Sequence, residues 1–185
     1  MIKDLLKETE NHMKGAIEAT KREFQSIRTS RANPNILEKV HVEYYGTPTP
    51  INQLANISVP DARSLVIQPW DKSALGAIEK AIQKADLGLN PVNDGTIIRL
   101  PIPQLTEERR KELVKVIKKE AEEKRIAIRN LRRDTNDRLK ALEKDNKITE
   151  DENKKALDDV QKLTDRYILE VDKLLELKEK EIMEV

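Results

Sequence analysis

Five basic residues, Lys111, Lys118, Arg125, Arg129 and Arg132, recur at intervals of seven, seven, four and three along a stretch free of proline and glycine. At about 100° per residue they share one narrow sector of a helix, and Arg133 widens that sector at one edge. Such a stripe suits phosphate. Lys and Arg neutralise phosphate charge and release counterions, and a guanidinium can also stack on a base or fork toward it. The competing reading is a solvated face with local ion pairs, because Glu122 lies one turn before Arg125 and Asp134 is nearby. Arg125, Arg129, Arg132 and Arg133 form the part hardest to neutralise locally. Arg22, Arg28 and Arg31 could form a second basic patch, for which plain solvation is the simpler account.

Other reactive side chains do not assemble in the sequence. His12 sits between polar neighbours in a helical pattern, and His41 faces one side of a strand; neither has a sequence partner for nucleophilic or metal chemistry. Without cysteine there is no disulfide, thiol chemistry or Cys-based zinc site. No Walker A loop or dinucleotide fingerprint occurs. Trp70 and the Tyr44-Tyr45 pair are expected in the core and rim of a small module rather than as a stacking platform. The expectation is a protein that is not an enzyme and has no cofactor. The net charge is only +1, so nucleic-acid binding must rest on local clustering. The N-terminus lacks a signal-peptide apolar region and no apolar run approaches membrane-spanning length, so a cytoplasmic location is expected.

The stripe needs a long rigid element, and residues 106–146 provide one. Thr106 is an N-cap candidate, followed by Glu107 and Glu108, where carboxylates suit the helix dipole. Val114, Ile117, Ala121, Ile128, Leu131, Leu139 and Leu142 make a near-heptad seam. Residues 2–27 form another amphipathic helix, expected to end near Thr29 and Ser30 because Pro34 disfavours helical geometry at Asn33. Thr149 and Glu152 read as a capping box opening a last helix, whose seam runs through Leu157, Val160, Thr164, Tyr167, Val171 and Leu174. Three helices, each with one apolar face, need a mutual core.

Residues 31–104 differ in character. They hold all eight prolines and four of the five glycines, with seven basic and seven acidic residues among 74, against 28 and 27 in the other 111. Strands are expected at 39–44, within 51–59, around Leu65-Val66-Ile67 and at 97–100. A helix is expected from Ser73 to Ala85 with Ala74, Leu75, Ile78 and Ile82 inward. The fold class is α+β: an antiparallel three-helix bundle from residues 1–30 and 105–185, with a small β/α/β domain inserted at 31–104. Two crossings would join them and serve as a hinge, one through Ser30, Arg31, Asn33 and Pro34, the other through Pro101, Pro103, Gln104 and Leu105. Two functions fit such a molecule. One is a non-enzymatic RNA-machine factor gripping RNA with the rod; the other is a helical scaffold or adaptor binding only protein. Salt-sensitive RNA binding lost on Arg-to-Glu changes separates them.

Six stretches carry a resemblance. The first half holds Ile27-Arg28-Thr29-Ser30-Arg31-Ala32-Asn33-Pro34, Val42-Glu43-Tyr44-Tyr45-Gly46-Thr47-Pro48-Thr49-Pro50 and Asp86-Leu87-Gly88-Leu89-Asn90-Pro91. The second holds Leu105-Thr106-Glu107-Glu108-Arg109-Arg110-Lys111, Arg129-Asn130-Leu131-Arg132-Arg133-Asp134 and Asp158-Asp159-Val160-Gln161-Lys162-Leu163-Thr164-Asp165. In order and without a gap, they make the chain resemble the bacterial ribosome recycling factors from end to end; the family pattern varies at Ser30 and Leu131. The resemblance implies an L-shaped monomer about the size of transfer RNA, bent at a flexible elbow. It implies that the protein, with elongation factor G and GTP hydrolysis by that partner, splits the post-termination ribosome into subunits. The bundle would lie against large-subunit ribosomal RNA. The family's RNA-contacting arginines correspond to Arg129 and Arg132, with Arg28, Arg31, Arg109, Arg110 and Arg133 as further candidates beside Arg125 of the stripe.

Overall fold

The computed structural model describes residues 1–184. Its helices are α1 (Ile2–Gln25), α2 (Leu75–Lys84), α3 (Glu107–Lys144) and α4 (Glu150–Met183). Its strands are β1 (His41–Tyr44), β2 (Thr47–Pro50), β3 (Ala55–Asp61), β4 (Ser64–Pro69), β5 (Val92–Asn93) and β6 (Ile98–Pro101). The chain divides into two compact units, residues 1–24 with 111–180 and residues 25–110 with 181–185. Against the expected limits of 30/31 and 104/105, residues 25–30, 105–110 and the end of α4 go with the α/β unit, so the chain passes between the units three times rather than twice.

In the helical unit, Lys124 meets Glu23 at 2.9 Å and Arg138 meets Glu8 at 3.4 Å, so α3 runs antiparallel to α1. Arg125 on Asp172 and Arg132 on Gln161 show the same for α3 and α4. The ends of the α3–α4 hairpin are closed by local hydrogen bonds. Thr106 Oγ1 accepts from the Arg109 N–H at 3.1 Å, an N-cap. Asn146 takes φ +57°, and the Lys147 and Asn146 amides donate to the carbonyls of Leu142 and Glu143, both at 2.9 Å. That is the Schellman arrangement, with asparagine in the left-handed position. The Thr149 N–H donates to Glu152 Oε1 at 3.1 Å while the Glu152 N–H donates to Thr149 Oγ1 at 3.0 Å, a complete capping box.

The buried seam of α3 is Leu113, Ile117, Ala121, Ile128, Thr135 and Leu139, with Val114, Leu131 and Leu142 only half-buried. It departs from the expected seam because a threonine serves as a core residue. Thr9 Oγ1 donates to the Leu5 carbonyl at 2.9 Å, which leaves its lone pairs for the Thr135 hydroxyl, 2.6 Å away. Both hydroxyls are thereby satisfied inside the bundle. On α4 the buried positions are Asn153, Ala156, Val160, Thr164, Tyr167, Val171, Lys178 and Ile182, while Leu157 and Leu174 of the expected seam are half-buried.

In the α/β unit, β1 and β2 form a hairpin in which Tyr44 pairs with Thr47. Tyr45 and Gly46 between them have φ +50° and +77°, the double positive pair of a type I′ turn. A second sheet is antiparallel in the order β3-β4-β6-β5. Ala74, Leu75, Ile78 and Ile82 at and along α2 are buried as expected, in a core with Val42, Leu65, Ile67, Ile98 and Leu100. The 51–59 region becomes a 3-10 turn, Ile51–Gln53, followed by β3. Two expectations change. Trp70 is 63% exposed and Tyr45 85%, so neither is a core residue, although Tyr44 is half-buried and meets the Tyr45 ring edge-on at 4.5 Å. And α1 stops at Gln25 instead of near Ser30, because Thr29 and Ser30 are buried in loop geometry.

Candidate nucleic-acid face

The side chains of α3 that face away from its seam differ in what already neutralises them. Arg125, only 19% exposed, donates to Asp172 through Nε at 2.8 Å and Nη2 at 2.6 Å, and to Glu122 through Nη1 at 3.0 Å. Burial disfavours its charge, but the bonds to Asp172 and Glu122 more than reverse that and hold the guanidinium protonated beyond its ordinary range. This places Arg125 among the ion pairs of the bundle, contrary to the expectation that it resists local neutralisation. Arg129 shares Glu122 more weakly, at 3.4 Å. Lys118 lies 3.9 Å from Glu179. Five residues before Arg125, burial and then Glu23 and Glu123 push the Glu120 carboxyl up, with Lys124 opposing.

Arg132 and Arg133 stand apart. Arg132 is half-buried; its Nη1 donates to the amide oxygen of Gln161 at 2.9 Å, and its Nε is enclosed without a hydrogen bond among the described residues. Arg133 is exposed and forms no salt bridge among the described residues. The α3 face therefore grades from a compensated arginine, through a partly shared one, to two whose charge meets no carboxylate among the described residues. Gln161 was not legible as a site residue, since no charge or periodicity marks a lone glutamine; its only signal was an amide one turn before Asp165.

The remaining arginine candidates belong to the α/β unit. Arg28 Nη1 donates to the Leu87 carbonyl. Beside it Gly88 has φ +69°, and a Cβ there would come within 3.3 Å of Arg28 Nη1, so this arginine secures a turn that only glycine fills easily. Arg31 pairs with Glu184 at 2.7 Å. Arg109 is exposed, and Arg110 is half-buried with its Nε enclosed. The proposed hinge residues also lie in this unit. Leu105 donates its N–H to Ser30 Oγ at 3.0 Å, tying the two connecting segments together. Asn33 caps the 3-10 turn Pro34–Leu37, and Gln104, with its oxygen toward Arg63, accepts from Nη1 at 2.6 Å and Nη2 at 3.0 Å. Pro101 and Pro103 are exposed. His12 and His41 are both exposed and far from this face in the sequence. No helix among the described residues is long and apolar enough to cross a membrane.

Comparison with known proteins places this architecture. A family model described as ribosome recycling factor matches residues 20–183. The chain is 64% identical, over the whole of both chains, to the ribosome-recycling factors of Syntrophomonas wolfei and Carboxydothermus hydrogenoformans. Among solved structures it is similar to a solution structure of the ribosome recycling factor, with a TM-score of 0.78 and 50% identity over 100% of this chain and 98% of that one. It is also similar, at a TM-score of 0.68 and 49% identity over 99% of each chain, to a T. thermophilus ribosome recycling factor. That relative is placed with E. coli elongation factor G on the E. coli post-termination complex. With a match of this length and identity, the chain belongs to the ribosome recycling factor family.

Proposed function

We propose that this protein splits the post-termination ribosome into its subunits together with elongation factor G and GTP hydrolysed by that partner. The helical bundle grips large-subunit ribosomal RNA through Arg132, Arg133 and Arg129, while the α/β unit takes up the motion imposed by the partner. The observation that carries the RNA contact is the graded neutralisation along the α3 stripe: Lys118, Arg125 and Arg129 meet carboxylates, whereas the neighbouring guanidinia of Arg132 and Arg133 meet none among the described residues. A family relative placed on the post-termination complex with elongation factor G supports the partner. Motion between the units would be taken up at the two connecting segments, Ser30 to Pro34 and Pro101 to Leu105, which the bond from the Leu105 N–H to Ser30 Oγ couples so that they move together.

The direct test is subunit separation from post-termination ribosomes, followed by light scattering. Separation should require this protein, elongation factor G and GTP together, and fail with a non-hydrolysable analogue. Unassisted separation by the chain, or none with all three present, would overturn the proposal. Binding to the large subunit should weaken steeply with salt, as phosphate contacts require; a salt-insensitive interaction would point to protein-only recognition.

A further inference from the structure

One side chain of the 158–165 stretch, Gln161, reaches the arginine face of α3, and a second, Asp165, holds it. Gln161, exposed on α4, accepts from Arg132 Nη1 through Oε1 and donates from Nε2 to Asp165 Oδ1, each at 2.9 Å. The amide is held at both ends, and its orientation is dictated chemically. An ionised Asp165 can only accept, so the NH2 must face it and the oxygen must face the guanidinium. Arg132 is thus steered by a neutral group. A carboxylate at 161 would hold it equally well but would compensate its charge, as Asp172 and Glu122 do for Arg125. An unrestrained arginine loses side-chain freedom when it closes on a phosphate, and restraint beforehand reduces that loss. The enclosed Nε of Arg132 adds a steric limit on the same side chain.

We infer that Gln161, itself anchored by Asp165, is a positioning residue that preorganises Arg132 for a phosphate while leaving its charge intact. This rests on the reading of the α3 face as an RNA contact. It gives a task to a pair of α4 side chains that the packing of the bundle does not need, since both are exposed.

The test is binding to isolated large ribosomal subunits, titrated over a range of salt. It compares wild type, Arg132→Ala, Gln161→Ala, the double variant and Gln161→Glu, each with its thermal melt. Gln161→Ala should weaken binding roughly three- to tenfold when Arg132 is present, a coupling typical of side chains in one network. With alanine at 132 the same change should have almost no effect. Gln161→Glu should keep the arginine placed yet flatten the salt dependence by about one phosphate contact, as Arg132→Ala does. Melts of all four should stay close to that of wild type, since Gln161 is exposed and the half-buried Arg132 has no carboxylate partner whose loss would leave a charge unpaired. If Gln161→Ala weakens binding by the same factor in both backgrounds, or leaves it unchanged while Arg132→Ala weakens it, the positioning role is wrong. If Arg132→Ala itself binds like wild type, the RNA-face reading beneath it is wrong instead.

Discussion

Arg125 and Arg133 lie eight residues apart on one helix, and their surroundings assign them opposite work. Arg125→Ala strips Asp172 of its partner, leaves Glu122 only the weaker contact with Arg129, and should cost on the order of 1 kcal/mol of bundle stability. It should change the salt dependence of ribosome binding little. Arg133→Ala should leave stability within about 0.5 kcal/mol, as exposed changes do, and flatten the salt dependence by about one contact. Reversed results in paired denaturation and binding measurements would reverse the two assignments. A second test concerns Tyr44, whose hydroxyl donates to Asp71 at 3.0 Å; that bond, then burial, pushes its pKa up to about 12. The folded state binds this proton more tightly than the unfolded one. Its contribution is therefore complete below the ordinary value of 10.0 and is lost as pH rises toward about 12. Tyr44→Phe should remove a phenolate absorbance step near pH 12 and flatten the alkaline loss of stability in the α/β unit. Loss of a step near pH 10 instead would show that the Asp71 bond does not hold in solution. The stripe itself was visible in the sequence because cations at helical spacing announce their face. Which of them stay uncompensated was not, since Asp172 and Gln161 arrive from another helix.

Helix ends show the same division between local and distant causes. The capping box at Thr149 and the cap at Thr106 were readable because all their bonds join residues three apart. Thr149→Ala should cost about 1 kcal/mol, read as a lowered melting temperature; an unchanged melt would mean the hairpin turn is set by Asn146 alone. The end of α1 was misplaced because Pro34 marks only an outer limit, whereas Ser30 leaves helical geometry in a segment that bonds to Leu105, 75 residues away. The two residues of β5 are too few for periodicity to register; their pairing with β6 makes them a strand. Thr135 escaped notice as a core residue because a hydrophobic pattern passes over a hydroxyl, and only Thr9 on α1 makes its burial tolerable.

The composition break after residue 30 falls inside the α/β unit, which begins at Gln25; the break arises because a module built on turns and short strands cannot share the charged, proline-free character of long helices. It could not show that residues 181–184 join that unit, for α4 runs on through Met183 without a change of pattern. If the helical unit is autonomous, residues 1–24 joined by a short flexible linker to 111–180 should give a helical protein with a single cooperative melt. A molten product would show that the α/β unit is part of its core. Crosslinking the units through an introduced cysteine pair, the chain having none of its own, should spare ribosome binding and abolish splitting. Full splitting by the oxidised form would remove relative motion from the mechanism.

The discontinuity of the helical unit also bears on how the chain is born. Synthesis delivers α1 first, with the apolar face of Leu5, Met13, Ile17 and Phe24 uncovered, while both helices that bury it lie beyond residue 106. At about 5–20 residues per second, α1 waits on the order of ten to thirty seconds for α4 to emerge. The α/β unit, nearly contiguous in sequence, can close in the meantime. Each new copy thus spends its first moments as a folded module trailing an unpartnered amphipathic helix, a natural client for a holding chaperone near the ribosomal exit.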